Sequence, residues 1–431
     1  MANRLGFRQG RAGTWARGQV SAWARGPIRP YAEISAGTGL PGIRYSRSMR
    51  IVKTTGELAA LIAELQGAAY LALDTEFMRD QTYWPKLCLM QVATPGTAAI
   101  IDPLDGNLDL SPFYKLIAAP NIVKVFHAAR QDIEIFYHQG GVIPDPLFDT
   151  QIAAMVCGFG DAASYELLVR KLANVEIDKT ARFTDWSHRP LTSRQLEYAL
   201  SDVTHLCTVY EKLVRQLEKT GRASWVEEEI AALKRSDLYE LDPANAWKRL
   251  KPRTNNKRFL AMLMALAEWR EREAQARDVP RNRVLKDEAL MEIAAHPPDD
   301  AAGLERIRAI PKGFAASRSG KALKDAIEQG RSAAPPKDIE VPYVRHGREP
   351  APAAVDLLKT LLRLRANDIG VAPRLIANSE DIERLAAGDG DVAALQGWRA
   401  DVFGKDALAL RAGKLAIALE GGRAKIVKLK D

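Results

Sequence analysis

Hydrophobic patterning divides this chain into an α/β domain with a mixed sheet, followed by two small all-α helical-bundle domains. Three observations predict that order. Apolar runs of strand length (Tyr70–Thr75, Leu87–Ala93, Ala98–Asp102 and Ile122–Phe126) crowd the first half and are bounded by turn residues. From about residue 250 the apolar positions instead recur at i, i+3 and i+4, as in Phe259 to Trp269. A stretch rich in proline and charge, 333–352, then splits the helical half in two.

Taken in order, residues 49–221 form the α/β unit. Thr55 to Leu65 reads as a helix, and Pro95-Gly96 as the turn joining the second and third strands. The fourth strand runs into a helix that starts at the alanines near 128. Helices are predicted over 149–157, 164–173 and 192–219. Mixed sheet first and helices afterwards is a ribonuclease-H-like order. Residues 222–249 read as a helical connector, 250–332 and 353–422 as the two helical units, and 423–431 as a basic tail. The two units are alike: Arg283 to Ala294 parallels Arg374 to Ala386, and Gly330 of the closing helix parallels Gly421. The offset is 91 at the arginines and 92 at Ile293 and Leu385, which implies one inserted residue.

Residues 1–48 carry eight Arg, one Glu and no Lys, with no hydrophobic period, so they are expected to be disordered. A start codon placed too far upstream is the favoured reading. A phosphate-touching arm and a targeting peptide are the alternatives. This segment holds +7 of the chain's net +8, whereas 49–221 comes to −5 and 250–332 to +5. Attraction to nucleic acid must therefore come from local patches. No apolar run approaches the roughly 18 residues of a membrane helix. Cys88, Cys157 and Cys207 form no CxxC pair, which argues for a reducing cytoplasm and against a structural zinc site.

The chemistry concentrates in carboxylates. Asp74 and Glu76 alternate around Thr75 at a strand end, so both side chains face one way. A solvated strand end is the plain alternative, but Leu71, Leu73 and Phe77 make the surroundings apolar and unpartnered acids costly there. Hard divalent cations want such oxygens. Asp132 falls at the start of the helix after Val125-Phe-His-Ala-Ala-Arg-Gln, where a favourable helix-dipole contact is an equal alternative. His127 and Arg130 are either substrate contacts or caps of the strand end. Tyr198 and Asp202 are spaced i, i+4 and share a helix face. Four carboxylates brought to one point suit a two-metal phosphodiesterase, in which ions about 4 Å apart flank the phosphate.

Residues 49–221 resemble the DEDD superfamily of 3′→5′ exonucleases, tyrosine subtype. Asp-Thr-Glu-Phe at 74–77 carries its first motif, Asp132 its second, and Tyr198 with Asp202 its third. Lys86 to Ala93, Phe148-Asp-Thr150 and Asp185-Trp-Ser-His-Arg-Pro-Leu191 extend the likeness to the ribonuclease D family. The two helical units resemble the helicase-and-RNase-D C-terminal (HRDC) domain, the second being diverged. The resemblance implies that Asp74, Glu76, Asp132 and Asp202 hold two divalent cations, Mg²⁺ or Mn²⁺, and that Tyr198 orients the attacking water. It also implies substrate contacts from Phe77, His127, Trp186 and Arg189.

The expected activity is release of 5′-mononucleotides from RNA, with tRNA precursors as substrates, by a cytoplasmic monomer with no membrane attachment. A DNA 3′→5′ exonuclease is the alternative within the same chemistry. A non-catalytic nucleic-acid adaptor is the alternative outside it. The basic residues Arg277, Arg281, Arg283 and Lys286 are expected to guide the RNA body by phosphate contact.

Overall fold

The structure is a computed structural model that describes residues 49–178, 180–334 and 349–429. The basic extension 1–48 and most of the linker, 335–348, lie outside the described residues. The exonuclease-like half runs β1 (Ile51–Val52), α1 (Thr55–Leu65), β2 (Tyr70–Met78), β3 (Lys86–Thr94), β4 (Thr97–Ile101), α2 (Ser111–Ile117), β5 (Val123–Phe126), α3 (Arg130–Gly140), β6 (Leu147–Asp149), α4 (Thr150–Val156), α5 (Tyr165–Leu168) and α6 (Ser193–Thr220). α1 starts where predicted because Thr54 and Glu57 close a capping box.

The six strands lie in the order β1-β4-β3-β2-β5-β6. β3 is antiparallel to both β2 and β4, whereas β5 runs parallel to β2 and to β6, so the sheet is mixed as predicted. Its central strands are nearly continuous apolar runs because helices cover both faces. β1, α2 and β6 are too short for hydrophobic period to reveal them. The segment predicted as one helix over 164–173 divides into α5 and a π-helical turn, Val169–Ala173.

Beyond α7 (Ala223–Leu233) and two short 3₁₀ turns come α8 (Lys257–Arg277), α9 (Arg281–Val284), α10 (Asp287–Ala295), α11 (Ala301–Glu305) and α12 (Arg318–Ser332). The second unit comprises α13 (Pro352–Ile369), α14 (Pro373–Ile376), α15 (Ser379–Ala387), α16 (Gly397–Arg399) and α17 (Lys405–Arg411), then β7 (Leu415–Glu420) and β8 (Arg423–Lys428). The duplication holds for three helices. α8 and α13 end at 277 and 369, α9 and α14 start at 281 and 373, and α10 and α15 start at 287 and 379. The offset is thus a constant 92 with no inserted residue, and Arg374 is not the counterpart of Arg283.

The parallel then ends. Where a closing helix and a basic tail were expected, the chain forms the β7–β8 hairpin, and Gly421 sits in its turn at φ 57°. The second unit is therefore not all-α.

The two units join the rest differently. Apolar residues from Val355 to Leu415 belong to the same continuous core as the sheet, whereas the first unit keeps a core of its own. Trp398 stacks on Trp225 of α7 at 4.3 Å and 9°. Arg399 donates to Glu228 at 2.8 Å and also pairs with Glu229. Ala372 N–H donates to Met155 O at 3.0 Å. Gly158 (φ 84°) lies so close that an added Cβ would stand 2.5 Å from Gly370 O. The first unit instead grips the β2–β3 loop. Asp278 accepts from the backbone N–H groups of Tyr83 and Trp84, both at 3.0 Å. Arg281 lies 4.5 Å from the Tyr83 ring centre and pairs with Glu271, and Arg283 donates to Gln81. Two of the basic residues expected to guide RNA thus serve the docking of this unit.

Trp398→Ala is predicted to cost about 3 kcal/mol, the usual scale for removing a buried large aromatic. Urea unfolding measures it, and a loss below about 0.5 kcal/mol would show that the stacked tryptophans do not hold the second unit in place.

Candidate active site

β2 presents its two faces to two different helices. Asp74 and Glu76 point to the face that holds Leu89, the cross-strand partner of Glu76. Leu89 packs with Trp186 and Ala199, so this face is the one covered by α6. Thr75 points the other way and donates to Asp132 Oδ1 of α3 at 2.5 Å. A single strand end therefore gathers acids from both sides of the sheet. The ladder shifts register between Glu76 and Phe77, where this acidic segment ends.

Each helix is aimed by its own device. Ala128 adopts φ 61° between β5 and α3. Asp149 holds that turn, accepting from the N–H groups of Ala128 (3.2 Å) and Ala129 (2.9 Å) while also capping α4. Tyr165 donates to the carbonyls of Ser201 (3.0 Å) and Asp202 (2.7 Å), fixing that turn of α6. The start of α6 is capped by Thr192 and Gln195, and Gln195 Nε2 also donates to Thr184 Oγ1 at 3.1 Å.

Asp74, Glu76, Phe77, His127, Asp132, Tyr198 and Asp202 all line one cleft of about 480 Å³. One carboxylate oxygen from each of Asp74, Glu76 and Asp202 lies within 4.8 Å of the others. Asp132 stands beside that triplet, held by Thr75. Burial followed by the charges of Asp132, Asp202 and Glu76 drives the Asp74 carboxyl well above its ordinary value. Burial and the charges of Asp202 and Asp132 push Glu76 up to about 9. Burial pushes both Asp132 and Asp202 up to about 7; the Tyr198 hydroxyl, donating to Asp202, opposes that rise. Such a group of buried, mutually repelling oxygens fits hard divalent cations, whose charge reverses the repulsion.

Trp186 and Arg189, expected on the substrate path, are elsewhere. Arg189 donates from Nε to Asp102 (2.8 Å) and from Nη2 to both Asp102 (2.6 Å) and Cys88 O (2.8 Å). Nη1 donates to the carbonyls of Trp186 and His188, both at 2.8 Å, so the guanidinium is fully engaged. Trp186 is buried, 6.1 Å from the Tyr198 ring. Together they tie the segment before α6 to β3 and β4, positioning Tyr198 from behind. His127 Nδ1 lies 3.0 Å from Thr150 Oγ1, and burial lowers the pKa of its ring.

Three residues that the sequence reading did not single out also belong here. Arg182 lines the cleft, and its charge pulls the Glu76 and Asp202 carboxyls downward. Phe183 beside it is 91% exposed at the rim. Gln91, opposite Asp74 in the ladder, is fully buried with neither amide atom hydrogen-bonded among the described residues. Arg182 and Phe183 sit in an irregular loop without periodicity, and Gln91 is hidden inside an apolar run.

Residues 49–218 match the 3′-5′ exonuclease family model, and 259–327 match the HRDC domain. Ribonuclease D of Granulibacter bethesdensis is 49% identical over 385 residues, 88% of this chain and 97% of that protein. The chain belongs to the ribonuclease D family. Ribonuclease D of a Jannaschia species is 48% identical across 88% of this chain and 99% of its own. The crystal structure of Escherichia coli RNase D, described as an exoribonuclease involved in structured RNA processing, matches with a TM-score of 0.71 at 28% identity. It covers 85% of this chain and 99% of that one. Like its ribonuclease D relatives, the protein is a 3′→5′ exoribonuclease, and the family implies dependence on a divalent metal.

The acid cluster sets a pH dependence. Between the ordinary carboxylate range and about 7, Asp132 and Asp202 hold more protons in the folded protein than in the unfolded chain. Stability of the metal-free protein should therefore fall as pH rises through that window. We predict that Asp132→Asn raises the metal-free Tm at pH 8 by a few degrees and changes it little at pH 5. Equal shifts at both pH values would mean that the buried charge of Asp132 is not the cause.

Proposed function

We propose that this exoribonuclease trims 3′ extensions of structured RNAs, tRNA precursors among them, and releases 5′-mononucleotides. Asp74, Glu76, Asp132 and Asp202 would hold two divalent cations, Mg²⁺ or Mn²⁺. The observation that carries this reading is the crowding of four carboxylates in one cleft, three of them with oxygens within 4.8 Å of one another. The cations would supply charge neutralisation at the phosphate, a more acidic water and a stabilised leaving oxygen.

The chain's own residues do the remainder. Burial and the neighbouring acids push the Tyr198 hydroxyl above its ordinary value, so at neutral pH it carries its proton and cannot serve as a base. Its role is to orient, through hydrogen bonding, the water that attacks in line. Phe77, partly buried on the cleft wall, wedges against the terminal nucleotide, and neutral His127 borders it. Arg182 offsets excess negative charge when the phosphate enters. Support for a structured RNA comes from what the E. coli relative is described as processing. We place the protein in the cytoplasm as a monomer. No helix among the described residues is long and apolar enough to cross a membrane.

Incubation of a 3′-extended tRNA with the protein and Mg²⁺ is predicted to release 5′-mononucleotides, and matched single-stranded RNA should be cut faster than DNA. Asp74→Asn and Asp202→Asn should each lower kcat by at least about 10³, and Tyr198→Phe by about 10 to 10². Undiminished hydrolysis by Asp74→Asn would remove the site assignment, and faster cutting of DNA would replace the RNA reading with a DNA exonuclease.

A further inference from the structure

We propose that the cleft between α3, the connector and the first helical unit is a phosphate-binding subsite for the substrate RNA strand upstream of its 3′ end. The proposal rests on the functional reading above and extends it. The cleft has a volume of about 550 Å³, within the range of ligand sites. It is lined by Arg79, Arg130, Arg249, Arg270 and Arg281, against only two acids, Glu134 and Asp287.

Three of those arginines are answered by carboxylates. Arg79 pairs with Glu134 at 2.6 Å, Arg270 with Asp287 at 2.6 Å, and Arg281 with Glu271 at 2.5 Å. Arg130 and Arg249 are exposed, and among the described residues neither has a carboxylate at ion-pair distance. Five arginines thus stand against three carboxylates, Glu134, Asp287 and Glu271, so the cleft carries more positive charge than it neutralises. An anion would relieve this, and phosphodiester oxygens match the guanidinium fork.

Position favours a strand over a free anion. Gln131 lines both this cleft and the catalytic one. It stands on α3 between Arg130 and Asp132, so one residue separates the two sites. A strand whose terminal nucleotide sits among the acids would carry its preceding phosphates over Gln131 to Arg130 and then Arg249. The far wall, Arg270 and Arg281, belongs to the first helical unit. That unit would then meet the substrate at the cleft even though Arg281 also serves its docking.

The test compares wild type with Arg130→Gln/Arg249→Gln. Binding of a labelled single-stranded RNA of about ten nucleotides is followed by fluorescence anisotropy in EDTA across a salt series, where no metal assignment is involved. The double variant should keep the wild-type Tm and hydrolyse a dinucleotide with Mn²⁺ within about twofold, yet bind the longer RNA about tenfold or more weakly. Its salt slope should be shallower by about 1.4, the value for two lost single-strand phosphate contacts. Arg130→Lys/Arg249→Lys, which keeps both charges, should retain most of the slope. Unchanged RNA affinity and slope in the Gln variant would overturn the proposal. So would calorimetric binding of inorganic phosphate that is lost in the variant while RNA affinity stays the same, which would assign the cleft to a free anion. Absence of dinucleotide hydrolysis by the wild type would count against the functional reading alone, because the cleft is judged on the binding comparison.

Discussion

Repulsion among four carboxylates is the constraint around which the exonuclease half is organised. Asp74, Glu76, Asp132 and Asp202 crowd one cleft; burial raises the pKa of each carboxyl, and the charges of their neighbours raise Asp74 and Glu76 further. A flexible scaffold would let such a group splay apart. This one resists at several points. β2 is central in the sheet and fixes two acids by its alternation. Asp149 holds the turn that launches α3, Tyr165 holds α6 by its backbone, and the Arg189–Asp102 pair braces the segment leading into Tyr198. Rigid elements positioning the reacting groups, with less regular segments at the rim, is the usual division of labour in hydrolytic sites.

The two helical units share three helices at a constant spacing but differ in what they contribute. The second has merged its apolar core with that of the sheet, through Trp398 on Trp225 and the close approach of Gly158 to Gly370. It buttresses the exonuclease domain. The first keeps its own core and touches the catalytic half through a small apolar cluster of Tyr83 with Ala274 and Val284 and the polar contacts around it. It stands beside the connector and α3, where its basic residues border an arginine-lined cleft. The −5 charge of the catalytic half and the +5 charge of the first unit thus meet at a shared wall.

Much of this was legible in the chain. Asp74 and Glu76 were readable because strand alternation is a strict period of two, and Tyr198 with Asp202 because i, i+4 marks one helix face. Arg189 was readable as important but not in its role. A motif arginine before a helix looks the same whether it meets phosphate or a buried Asp102 lying 87 residues earlier. The β7–β8 hairpin escaped because the preceding duplication suggested a helix, and Leu415–Glu420 is short enough to suit either state. Arg182 and the basic cleft depend on tertiary assembly: Arg130 and Arg249 are 119 residues apart and lie in different parts of the fold.

Calorimetric titration of Mn²⁺ at pH 7 in buffers of different ionisation enthalpy measures whether this acid cluster holds the two proposed cations. Two ions should bind per chain with release of protons, because Asp132 and Asp202 are partly protonated near about 7 before metal arrives. Binding of no ion, or binding without proton release, would contradict it.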